Sequence, residues 1–184
     1  YIYNSTDRIV ANCHKLPQQH FSKRLLSIEE IGESLTRIAQ LLKQINPSIH
    51  LVITISPVRH IKDGFLENQV SKSQLFSALY PLITSGYYTY FPAYELLLDE
   101  LRDYRFYAND MVHPSEMAIN YIWERLVATY IDTATQMDMK QAESIQKALL
   151  HRPFNPDTEK HQQFLIQLQQ KMEVFTMKYP HIKF

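Results

Sequence analysis

The chain has 184 residues, 45% of them hydrophobic, enough to bury a sizeable core and too apolar for wholesale disorder. Lysine plus arginine and aspartate plus glutamate balance at 19 each, so no net field draws it to nucleic acid or to a membrane surface. Three glycines leave no Gly-rich phosphate loop, and the single cysteine, Cys13, leaves no internal disulfide and no cysteine zinc cluster. No cofactor is expected, no apolar run reaches the length of a membrane span, and a reducing, cytoplasmic setting fits.

The chain opens on Tyr1-Ile2-Tyr3, with no initiator Met, as though cut from something longer. Residues 1–3 and 8–11 read as short strands around a turn at Asn4-Ser5-Thr6-Asp7. The loop that follows, 12–17, concentrates Asn12, Cys13 and His14. A solvated loop with a half-buried Cys is the plain reading; cleft-lining roles for Asn12 and His14 are the sharper one.

Ser27 and Glu30 have capping-box spacing. Behind them Ile28, Ile31, Leu35, Ile38, Leu42 and Ile45 repeat at helical spacing, and Pro47 closes the helix. Residues 49–55 form an apolar, β-branched run of the kind that suits a strand buried on both faces, as in a parallel sheet flanked by helices. That run ends in Ser56-Pro57-Val58-Arg59-His60, and ligands of open α/β sheets bind at the carboxyl ends of strands. A helix over about 70–83, a strand over 87–91 and a short helix over 94–101 follow, an α/β order.

Residues 110–115, Asp-Met-Val-His-Pro-Ser, stand where a loop turns into an apolar-periodic helix. Asp110 and His113 are three residues apart, a proximity that lets a carboxylate hold one imidazole nitrogen while the other faces a nucleophile. The alternative is a helix-cap accident. Pro114 suits the first helical position, which puts His113 at or beside the N-cap. Helices are expected over about 133–150 and again after Asn155-Pro156, read as N-cap and first helical residue. These two form an antiparallel hairpin over 131–184, appended to a domain over 1–130.

Several ordered blocks carry a resemblance to a known family. They are residues 11–17 (Ala-Asn-Cys-His-Lys-Leu-Pro), 56–64 (Ser-Pro-Val-Arg-His-Ile-Lys-Asp-Gly), 91–95 (Phe-Pro-Ala-Tyr-Glu), 99–107 and 110–116. Together they strongly resemble the GSCFA-domain family, which looks like a branch of the SGNH (GDSL-like) hydrolases; residues 151–156 resemble a segment that often follows that domain. The resemblance implies a flavodoxin-like, three-layer α/β fold with a parallel sheet. It also implies an esterase or acyl-transfer activity on a small-molecule or carbohydrate ester, with His113 as catalytic base and Asp110 as its orienter. The family's Gly-Ser-Cys-Phe-Ala block, with its presumed serine nucleophile, is absent from these residues. The expectation is therefore a C-terminal portion of such a protein, which covers its open sheet by self-association or with the missing N-terminal segment. A non-catalytic binding module on the same fold is the alternative.

Arg59 and His60 are the remaining candidates, placed to bind a substrate carboxylate or acyl oxygen; otherwise Arg59 pairs with an acid such as Asp103. Ser56 is a poor nucleophile, since it precedes Pro57 and lacks the small-residue turn that exposes one. His14, His60 and His113 have no metal-ligand spacing, so no metal is expected.

Overall fold

The computed structural model describes residues 1–10, 13 and 15–184, in two compact units, 1–122 and 123–184. In the first unit, β1 (Ile2–Tyr3) pairs antiparallel with β2 (Arg8–Ile9) and with β3 (Phe21–Ser22). The expected hairpin therefore gains a third strand. Helix α1 (Ile28–Ile45) starts at a complete capping box: Ser27 Oγ accepts from the Glu30 N–H, and the Glu30 carboxylate accepts from the Ser27 N–H at 2.9 Å.

Strand β4 (Val52–Ile53) and strand β5 (Thr89–Tyr90) pair in parallel, Val52 opposite Thr89 and Ile53 opposite Tyr90. Both are shorter than the apolar runs that announce them. A turn from the Asn46 carbonyl to the Ile49 N–H takes up the start of the first run. Pro57 and Pro92, which have no N–H to give a ladder, stand just beyond the two runs.

Between the strands runs α2 (Phe65–Thr84), five residues longer at its start than its apolar stripe suggests. Phe65 and Leu66 in that first turn are exposed, so no buried periodicity marks it. At the other end the Gly86 and Tyr87 N–H groups bond back to the Ile83 and Leu82 carbonyls, with Gly86 at φ +74. This left-handed closure is cheap for glycine and delivers the chain into β5. Ala39, Ile55, Leu79 and Tyr88 form the core between these elements, and the Tyr88 hydroxyl donates to the Leu35 carbonyl at 2.7 Å.

After β5, helix α3 (Ala93–Glu95) widens into a π turn over Leu96–Glu100, closed from the Leu101 N–H to the Leu96 carbonyl. The widening buries both Leu97 and Leu101, against Ala118, Phe106 and Tyr107. Helix α4 covers Glu116–Tyr130.

In the second unit, α5 (Thr133–Leu149) and α6 (Glu159–Lys178) are antiparallel. Asp138, early in α5, accepts from Lys178 Nζ at 2.7 Å at the end of α6, while Ala148 packs in one cluster with Phe164. Ile145, Leu168 and Phe175 are its buried centre. Helix α6 is capped by Thr158, which accepts from the His161 N–H, and not by Asn155 as the Asn-Pro pair suggests. The Asn155 carbonyl is used in the turn before it, where it accepts from the Thr158 hydroxyl. Among the described residues no helix is long and apolar enough to cross a membrane.

Candidate active site

The loop from Ala108 to His113 is closed on itself, with the Ala108 N–H on the His113 carbonyl at 2.8 Å and the Met111 N–H on the Ala108 carbonyl at 2.9 Å. Met111 sits at φ +61, a conformation that costs a non-glycine residue of order 1 kcal/mol. It brings Asp110 back over its own chain. Asp110 Oδ1 accepts from the Val112 and His113 N–H groups, both at 2.9 Å, and Oδ2 lies 2.6 Å from His113 Nδ1. Three donors to one carboxylate favour its charged form. The His113 N–H and ring, with the Val112 N–H, hold the Asp110 pKa down at about 2. A carboxylate so placed fixes the proton on Nδ1 and leaves Nε2 as the basic nitrogen. Nε2 has no partner among the described residues.

Pro114 does not begin the helix. It forms an antiparallel bridge with Tyr107, and the Ser115 N–H bonds to the Phe106 carbonyl. Ser115 is the cap of α4, its carbonyl accepting from the Ile119 N–H and its hydroxyl lying 3.4 Å from the Ala118 N–H. The imidazole thus stands two residues before the cap, on an exposed corner.

Arg59 and His60 lie in the loop after β4, which is pinned from α2. Asn68 Oδ1 accepts from the His60 N–H at 2.9 Å, and Lys72 Nζ donates to the Ser56 carbonyl at 2.5 Å. Lys72 is only 4% exposed, and burial pushes its pKa down. Asn68 and Lys72 are four apart and share a helix face. Neither stands out in the sequence, because Glu67, Gln69, Ser71, Ser73 and Gln74 of the same helix are polar too.

A cavity of about 710 Å³ takes in Arg59, His60, Asp110 and His113 together. Its other walls come from residues 23–26, 61–63 and α2. Asn12 and His14 lie outside the described residues. Ser56 does not line the cavity, and its hydroxyl accepts from the Val58 N–H. The pairing of Arg59 with Asp103 is not formed. Asp103 instead holds Arg105, Nε to Oδ1 at 3.1 Å, and caps the turn Tyr104–Phe106. Of the aromatic residues before the site, Phe106 and Tyr107 pack on the Leu97 core and Tyr104 is exposed. Among the described residues no group of three metal-ligating side chains converges.

Residues 1–126 match the GSCFA family, and residues 142–184 match the C-terminal domain of GSCFA domain proteins. The chain belongs to the GSCFA family. No curated protein and no solved structure matches it significantly.

Proposed function

We propose that this chain is part of a serine esterase or acyl-transfer enzyme of the SGNH type, acting on a small-molecule or carbohydrate ester. His113 is the general base and Asp110 the residue that orients it. The observation that carries the reading is the 2.6 Å contact between His113 Nδ1 and Asp110 Oδ2, with Nε2 unpaired among the described residues and His113 lining a cavity. In that geometry Nε2 removes the proton of a serine hydroxyl as the oxygen attacks the acyl carbon, and the Asp110 anion stabilises the imidazolium that results. The same proton then goes to the leaving alkoxide.

The nucleophile, in this proposal, is a serine outside these 184 residues. Ser71, the one serine among the described residues lining the cavity, lies inside α2 and not on a strand-to-helix turn. The parallel pair β4–β5 is likewise the part of a larger three-layer sheet that these residues supply. Further strands, from a segment preceding Tyr1 or from a second copy, complete it.

The test is a longer protein that contains this chain with its upstream coding sequence. A fluorophosphonate probe should label one upstream serine, and p-nitrophenyl acetate should be hydrolysed. His113→Ala should lower turnover by about a hundredfold to ten-thousandfold, the range for loss of a positioned general base. Stoichiometric labelling of Ser56 or Ser71, or equal turnover with and without His113, would overturn the assignment.

A further inference from the structure

The cavity beside His113 carries a local charge imbalance that the neutral chain as a whole does not. Four cationic side chains line it: Lys23, Arg24, Arg59 and Lys62. Two of them are already neutralised. Lys23 pairs with Asp63, and Arg24 makes a two-pronged bond to Glu30 at 2.7 and 2.8 Å. Asp110, the other acid on the wall, is taken by His113 and its own loop. Arg59 and Lys62 are left without a carboxylate among the described residues. Arg59 is also fixed at its root, because Asn68 and Lys72 hold the backbone on either side of it. Apolar side chains such as Leu25, Leu26, Val58 and Leu75 line the same hollow.

A guanidinium on a pinned loop that lines a partly apolar cavity, with no carboxylate partner among the described residues, suits an anion, since its planar fork matches the two oxygens of a carboxylate or phosphate-type group. We propose that the cavity receives an ester that also bears an oxyanionic group, and that Arg59 is the receptor for that charge, with Lys62 adding to the field. The word ester rests on the function proposed above; the anion rests on the cavity alone.

Binding to the 184-residue protein tests it, with three probes of nearly equal shape: monomethyl adipate, its ω-phosphonate analogue, and the neutral dimethyl adipate. Calorimetry or NMR titration should show one or both anions binding about tenfold or more tightly than the diester, and the tighter of the two identifies the oxyanion. Arg59→Gln, on an exposed side chain that the fold does not need, should abolish this preference, whereas His113→Ala should keep it. Equal binding of all three probes, binding of none, or a preference that survives Arg59→Gln or vanishes in His113→Ala would each overturn the proposal. Absence of fluorophosphonate labelling in the longer protein, with the preference intact, sinks the esterase reading and leaves the anion site standing.

Discussion

In residues 1–122 the strands are two residues long, and the loops between them are held by polar side chains reaching in from helices. In residues 123–184 two long helices hold each other through an apolar seam, and most of their polar side chains face water. Lys72 and Asn68 fix the loop of Arg59 and His60; Asp110 fixes its own loop; Ser27 and Glu30 fix the start of α1. The hairpin's comparable bonds converge on one carboxylate, Asp138, which accepts from Lys178 and Tyr179. The contrast teaches where each unit is vulnerable. Directional bonds position a site but tolerate no loss of a partner. An apolar seam tolerates polar change and fails when a large side chain is removed.

The largest effect should follow from breaking the seam. Phe175 is 3% exposed and packs against a tilted Tyr179 ring and an edge-on Phe184 ring, with centroids at 5.1 and 5.5 Å. Phe175→Ala should cost about 3–5 kcal/mol, the range for a buried Phe truncated to Ala. Denaturant unfolding followed by helical circular dichroism measures this. A loss below about 1 kcal/mol would show that the hairpin is held elsewhere.

A smaller effect on stability, but a larger one on the site, should come from Lys72→Met. Methionine keeps most of the apolar stem and removes the donor to the Ser56 carbonyl. Ser56 is an exposed residue whose carbonyl can turn to water, so the cost should be no more than about 1 kcal/mol. The loop after β4 then loses one of its two anchors, so the amide signals of Val58 to His60 should shift or broaden in NMR spectra. Unchanged signals there would mean that Lys72 fills space and positions nothing.

The same contrast governs what could be read before any coordinates. Features written locally came through: the Ser27–Glu30 capping box, the two apolar runs that become a parallel pair, and the Asp110–His113 contact, which three residues of spacing nearly dictate. What failed was decided by backbone bonds at a distance. The sequence Pro114-Ser115 looks like a helix start, yet Pro114 bridges Tyr107 and the cap falls at Ser115. Asn155-Pro156 looks like another, and Thr158 takes that place instead. The first turn of α2 is invisible because Phe65 and Leu66 are largely exposed and add nothing to a buried stripe. Asn68 and Lys72 are illegible for the opposite reason: their partners are backbone atoms of another segment, and they stand among other polar residues of the same helix, Glu67 to Gln74.

The smallest expected effect sharpens the comparison on the site's own carboxylate. In the folded chain Asp110 titrates at about 2, against an ordinary value of 3.8. A depressed folded pKa means that the unfolded chain binds the proton first as pH falls. The contribution of Asp110 is therefore fully present above 3.8 and is lost between 3.8 and about 2. Because both side chains of the pair are more than half exposed, solvent screens the interaction and the slope it adds to the stability profile should be shallow. Asp110→Asn keeps a carbonyl oxygen for the Val112 and His113 N–H groups, but it removes the charge and sets an NH2 donor against His113 Nδ1, so it should flatten that part of the curve with the loop in place and the imidazole tautomer reversed. Asp138 is also held below the ordinary range, by Lys178 and Tyr179, and should titrate unaltered in the same variant. Carbon-detected NMR of the two carboxyl groups separates them. A midpoint for Asp110 at or above 3.8 would mean that its bonds to the His113 loop do not persist in solution, and the orientation of the imidazole would lose its cause.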